Sequence, residues 1–319
     1  MLMTIVRCLF LTCVLLPLSN SGWAQSWEPP AREQRCPSRW GAADERGAMN
    51  HQNAEAVLRA SRLIKSGQTF ELGYALAPDI PFAGTRRFSV TLKRTTAPLG
   101  TNQRRSNEET IDTELGQVGT QFDAFAHQTI GNDLYNCVPM EENATRTGFK
   151  KLGIDTVGNV FTRGVLLDIA SLKGVDTLDI KYEITADDLQ EAAKAQSLTV
   201  QPGDAVLIHT GWGKLWGVDN VKYASGCPGI GVGAANWLAK QNIMLVGADN
   251  WPVEIAPNPD AKVSLPVHQI MLVVNGIHLL ENLKLAELAA AKAYEFAFIM
   301  QPLKIKGGTG STVVPVAIR

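Results

Sequence analysis

A single domain of layered strands and helices, an α/β fold, is what this sequence predicts, and three observations carry the prediction. In the second half, short runs of β-branched and aliphatic residues alternate with segments of helical period, the pattern of strands covered by helices. No internal repeat or low-complexity tract interrupts it. The 319-residue length, less an amino-terminal leader, lies near the upper size for one hydrophobic core.

The leader is read at residues 1–24. Arg7 precedes the apolar run from Cys8 to Leu16, Pro17 closes it, and Gly22 and Ala24 put small residues where a signal peptidase reads. The run is too short for a membrane span, which needs about 20 residues. The expected product is therefore secreted, and periplasmic once cleavage leaves a domain at 25–319. Intact-mass measurement of the exported protein is expected to give a chain starting near Gln25, and a species keeping Met1 to Trp23 overturns this assignment. No comparable apolar run recurs, so no membrane partner is expected. The 31 acidic and 30 basic residues give no field to attract nucleic acid. Expected partners are a small-molecule substrate and copies of the chain, as a homodimer or homotetramer. Of five cysteines, Cys36, Cys137 and Cys227 outlast the leader. Three allow at most one internal disulfide and leave a free thiol, and the spacing does not choose the pair.

Along the domain, a Pro-rich segment at 27–30 leads to a loop-like stretch from Trp40 to Gly47. A helix is expected from about Gln52 to Lys65, capped by Asn50 or Asn53, with Ala56, Val57, Ala60 and Leu63 at helical spacing. Segments such as Phe88-Ser89-Val90-Thr91-Leu92 alternate as strands do, whereas residues 100–112 are polar and charged and read as a mobile loop. Val165-Leu166-Leu167-Asp168-Ile169 reads as a buried strand. Thr185-Ala186-Asp187-Asp188 then makes a capping box opening a helix to about Gln196. A strand at Ala205–His209, a helix from Val232 to Gln241 and a strand at Ile243–Val246 follow. The tail from Phe296 to Ile318 returns to β character around the turn Gly307-Gly308-Thr309-Gly310.

The chemistry is sought among five histidines: His51, His127, His209, His268 and His278. If the stretch before His127 is extended through residue 123, the period of two puts Gln117, Gly119, Gln121 and Asp123 on one face, with Gly119 leaving space among three polar groups. The solvated face of a half-buried strand gives the same pattern. In Ile277-His278-Leu279-Leu280-Glu281, an extended chain places Glu281 on the face of Ile277 and Leu279. A carboxylate there costs several kcal/mol unless it is paired or binds a metal. A salt bridge, or a strand end reaching solvent, answers equally well. His268 could begin a helix and His209 ends a strand, positions that satisfied core histidines also occupy. Asn102, Trp212, Trp216 and Trp251 are candidates for shaping an aromatic-sized pocket. No Gly-x-Ser-x-Gly elbow or dinucleotide-binding glycine spacing is present.

Gln117-Val118-Gly119-Thr120-Gln121-Phe122-Asp123-Ala124-Phe125-Ala126-His127 resembles the signature H-x-G-T-H-x-D-x-x-x-H of the cyclase or kynurenine formamidase-like family of metal-dependent hydrolases, a group that includes isatin hydrolase. Similarity extends to Trp40–Asn50, Arg163–Asp168, Gly203–Ile208, Gly247-Ala248-Asp249 and Gly308–Ser311. The resemblance implies a single-domain layered α/β fold of the kynurenine formamidase-like (swivelling β/β/α) type. It implies metal ligands at Gln117, Gln121, Asp123, His268 and Glu281, acid–base catalysis by His127, and a divalent cation, Mn²⁺ or Zn²⁺ first.

Glutamines stand where the signature has two histidines. A neutral amide oxygen in place of imidazole nitrogen weakens the site and shifts it from zinc toward harder ions. Two outcomes are consistent with that departure. One is a metal-dependent amidohydrolase or lactonase acting on a small cyclic amide, N-formyl aryl amine or lactone. The other is a periplasmic small-molecule-binding protein on the same fold that has lost catalysis.

Overall fold

Long aliphatic runs with no polar alternation belong to strands covered on both faces, and four of them form the centre of the molecule. The computed structural model describes residues 26–94 and 97–319; the leader assigned to residues 1–24 lies outside the described residues. Nine strands build one curled mixed sheet: β1 (Thr69–Glu71), β2 (Gln121–Asp123), β3 (Val160–Asp168), β4 (Ala205–His209), β5 (Leu245–Ala248), β6 (His278–Glu281), β7 (Glu295–Met300), β8 (Gly310–Thr312) and β9 (Val316–Ile318). Their order is β1-β9-β7-β3-β4-β5-β6-β2-β8. The four central strands β3 to β6 run parallel, and antiparallel pairings extend the sheet on both sides.

Alternate residues of these strands feed two separate cores. Val165, Leu167, Val206, Ile208, Val246 and Leu279 pack on one face, and Leu166, Leu207, Leu245, Leu280, Phe296 and Phe298 on the other. Helices α2 (Ala186–Ala195) and α3 (Val232–Lys240), with a π-helical segment at Gln269–Asn275, cover the first face. Helix α1 (Ala54–Ser61) packs against β3 and β7. Its start is fixed by Asn53, whose Oδ1 accepts from the Ala56 amide at 2.9 Å. Thr185 and Asp188 cap α2 reciprocally, as the sequence pattern requires. The expected layered α/β single domain is the fold observed.

Four local expectations need correction. Residues 107–113 are a strand, paired with Phe88–Arg94 in an exposed hairpin. The strand expected at 88–92 is present, but all except the ends of both strands face water, so 107–113 shows no apolar alternation and Glu108, Glu109 and Asp112 mimic a loop. The strand expected at Ile243–Val246 lies two residues later, at Leu245–Ala248. Ile169 leaves its strand to open a short helix that Asp168 caps through the Ser171 amide. Finally, the extended segment ending at Asp123 covers only 121–123. Gly119 bends the chain before it at φ +66°, and the space beside its α-carbon is filled by Leu76.

Cys36 is bonded to Cys137, and Cys227 is buried and free. Among the described residues no helix is long and apolar enough to cross a membrane.

Candidate metal centre

Pairing of β6 with β2 puts Glu281 opposite Gln121, so the two segments singled out in the sequence meet although 160 residues separate them. Gln121 Nε2 donates to Glu281 Oε2 at 2.6 Å. Gln117, delivered by the bend at Gly119, donates from Nε2 to Asp123 Oδ1 at 3.3 Å and accepts from Gln121 and Arg86 through Oε1. Both glutamines therefore turn amide nitrogens toward carboxylates. Their other ends differ: Gln121 Oε1 is buried with no partner among the described residues.

Asp123 is fully buried, and its Oδ2 also lacks a hydrogen-bond partner among the described residues. Around that oxygen stand His268 Nε2 at 3.8 Å and His127 Nε2 at 4.0 Å. His268 Nε2 also lies 3.2 Å from Glu281 Oε1. One donor atom from each of Asp123, His127 and His268 falls within 4.8 Å of the others. Ligands about 2.0–2.2 Å from a common ion are at most about 4.4 Å apart, so the Asp123 to imidazole spacings fit one divalent cation. Donor chemistry agrees. Carboxylate oxygens and imidazoles suit Mn²⁺ and Zn²⁺ alike, and a buried, unpartnered carboxylate oxygen is what a bound cation would satisfy.

The electrostatics describe a site that wants positive charge. Burial pushes the Asp123 carboxyl up to about 6, against the pull of His127, and the neighbouring Glu281 adds to the rise. Burial alone would lower His268, but its hydrogen bonds to Glu254 and Glu281 outweigh that and raise it to about 10. Without an ion, the His268 imidazolium is the counter-charge. His127 goes the other way: burial outweighs the attraction of Asp123 and holds it below the ordinary histidine value, hence neutral near pH 7. His127 is also the group with access to solvent, its side chain 18% exposed against 0% for Asp123 and 3% for His268.

Glu254 was not singled out in the sequence. It is completely buried and accepts from the Val267 amide, the His268 amide and His268 Nδ1, at 3.0, 3.0 and 2.6 Å. The ring is thereby fixed with Nε2 facing the site, the outer support that metal-binding histidines use. Backbone strain gathers at the same places. Val253, Leu265 and Asn282, next to Glu254, the helical turn at Pro266–His268 and Glu281, have φ of +62°, +46° and +54°, costing about 1–3 kcal/mol each.

The other two buried histidines are accounted for. His278 lies between Phe122 and Phe125 and donates from Nδ1 to the Asp123 carbonyl at 2.7 Å. Burial holds its pKa down to about 4, so it serves as a neutral prop for the Asp123 backbone. His209 bonds to Asp168 at 2.8 Å. Above Gln117 and Gln121 a cleft is lined by Phe82, Arg86, Tyr223 and Trp251. Trp251 is thus where a pocket-shaping residue is expected. Trp212 is instead buried beneath, its indole donating to the Tyr223 carbonyl; Trp216 stacks on Tyr74; Asn102 is exposed in the loop of the hairpin.

A mixed sheet with a buried carboxylate and imidazole centre at the meeting of β2 and β6 defines a class of layered α/β protein with a metal-type site. The model of the putative cyclase family matches residues 70–255, more than half of the sequence, and the chain belongs to that family. It is similar to the crystal structure of a novel cyclase, with 34% identity and a TM-score of 0.81 over 88% of this chain and 98% of the other. It shares its fold with isatin hydrolase A from Ralstonia solanacearum (20% identity, TM-score 0.56, 79% and 92% of the two chains). The same holds for a predicted metal-dependent hydrolase from Bacillus stearothermophilus (20% identity, TM-score 0.52, 78% and 97%). No curated protein matches the chain.

Proposed function

We propose that the chain is a secreted, homo-oligomeric, metal-dependent hydrolase of a small cyclic amide, N-formyl aryl amine or lactone. The observation that carries this reading is the unpartnered, buried Asp123 carboxylate oxygen, with His268 set between Asp123 and Glu281 and the His127 ring beside them. The fold shared with isatin hydrolases, one of them bound to the product analogue thioisatinate, supports a compact cyclic amide as substrate. Asp123, His268 and Glu281 would hold the ion, with Gln121 Oε1 the glutamine atom free to join them. Gln117 would steady Asp123. When bound, a divalent cation supplies a positive charge that polarises a carbonyl and eases ionisation of water.

The remaining work falls to the chain itself. Phe82, Tyr223 and Trp251 give a flat substrate an apolar wall, and burial under them excludes bulk water. His127, neutral and partly exposed, takes a proton from the attacking water at Nε2 and returns it to the leaving nitrogen or oxygen. His127→Ala is expected to lower turnover of such a substrate by about 10²–10⁴-fold while metal content, measured by plasma emission, stays at the wild-type level. Parallel loss of both would make His127 a ligand.

A second reading has its own observation. The amide nitrogens of Gln117 and Gln121 already hydrogen-bond Asp123 and Glu281, an arrangement that stands without an ion and suits a small-molecule-binding protein. Purified protein that carries no divalent ion, gains none on dialysis and hydrolyses none of the three substrate classes would favour it.

A further inference from the structure

A second cleft lies behind the candidate metal centre, walled by Arg35, Arg39, Trp40, Tyr135, Val274 and Ile277. Tyr135 packs tilted against Phe125, and Phe125 stacks on His278, so aromatic rings separate it from Asp123. The cleft encloses about 200 Å³, below the range of about 300–1,000 Å³ for drug-sized sites, so its ligand is no larger than a single substituted ring.

The charge of this cleft is one-sided. Among the described residues, two arginines line it and no carboxylate does. The Arg35 side chain is only 7% exposed. Its Nε donates to the Pro30 carbonyl and its Nη2 to Asp133, both at 3.1 Å, while Nη1 has no partner among the described residues. Asp133 is shared with Arg32, so one carboxylate serves two guanidinium groups. Among the described residues Arg39 hydrogen-bonds the neutral partners Asn242 and His51 alone, and it lies over the Trp40 ring, 4.9 Å from its centroid. Burial and the Arg39 charge both keep His51 below its ordinary pKa, so it is a neutral acceptor for Arg39 and does not offset the arginine charge. The nearby Asp44 is already occupied by the Arg46 and Gly47 amides, Asn50 Nδ2 and the Tyr135 hydroxyl. A buried guanidinium donor left unpaired costs free energy unless an acceptor arrives.

We propose that this cleft binds a small aromatic carboxylate, whose oxygens take Arg35 Nη1 and Arg39 and whose ring lies against Trp40, Val274 and Ile277. Planar guanidinium groups match carboxylates in geometry as well as charge. The disulfide from Cys36 to Cys137 ties the arginine-bearing segment to the Tyr135 wall, so the site is formed before the ligand comes. The binding is independent of hydrolysis at the metal centre.

Calorimetric titration of the full-length protein with benzoate and with its neutral isostere benzamide tests this. Benzoate is expected to bind at least about 10-fold more tightly, the usual worth of a charge-assisted contact. Arg39→Gln, an exposed change, is expected to weaken benzoate by about the same factor and leave benzamide unaffected, and Arg35→Lys to do likewise. Equal binding of the two compounds, no binding of benzoate at millimolar concentration, or benzoate binding undiminished in Arg39→Gln would overturn the proposal. The last result would place the carboxylate at the metal centre instead. Should Arg35→Lys fail to fold, the Arg39 variant decides.

Discussion

Asp123→Asn is expected to abolish stoichiometric metal binding and, with it, hydrolysis, while leaving the metal-free chain folded and at least as stable as the parent. Asp123 Oδ2 is the atom both imidazoles face, and no hydrogen bond from the described residues occupies it. Burial works against the charged carboxylate, which is why its pKa rises to about 6. An amide of the same shape removes that penalty and keeps an oxygen for the Gln117 donor. The metal-loaded protein behaves oppositely, because the ion loses its central anion. Metal content and thermal unfolding, each measured with and without added Mn²⁺, separate the two effects. A variant that keeps its full complement of metal, or one that unfolds more easily than the parent only when metal is absent, would show Asp123 to be a structural acid.

Glu254→Ala is expected to be the most destabilising single change near the site. It strands the Val267 and His268 amides and leaves the His268 imidazolium buried with fewer counter-charges. Removing one partner of a buried charged pair costs about 3–5 kcal/mol. Loss of the support that orients a metal-binding histidine costs about 10–100-fold in metal affinity. Denaturant unfolding and competitive chelation measure these separately. Glu254→Gln, which can still accept from the backbone, is expected to recover part of the stability but less of the affinity. Equal affinity in wild type and both variants would mean that His268 does not hold the ion.

The fold was legible wherever burial imposes a period. Val165–Leu167 and Val206–Ile208 are buried on both faces, and Thr185 and Asp188 form the cap that their spacing announces. The hairpin strand at Asn107–Thr113 was not legible, because a strand wet on both sides has no reason to alternate. At the site, Asp123, His268 and Glu281 were reachable from the resemblance, and Glu281 also from the cost of a carboxylate on the face of Ile277 and Leu279. Their convergence was not reachable from periodicity, since Gln117 arrives by a bend at Gly119. Glu254 follows Val253, a β-branched residue in left-handed conformation, and no local pattern announces such a turn. The argument applied to Glu281 applies equally to an acid between Val253 and Ile255, and that was the available signal.

The antiparallel contact between β2 and β6 also sets when a cation can be captured. Asp123 and His278 are 155 residues apart, and Gln121 and Glu281 are 160 apart. Closing loops of that size comes late, because non-local contacts repay the entropy of closure only after intervening structure is in place. No fragment ending before residue 281 contains the complete set of proposed ligands. Metal capture would therefore follow the assembly of the sheet, and the ion would lock a finished chain by slowing its unfolding without hastening its folding.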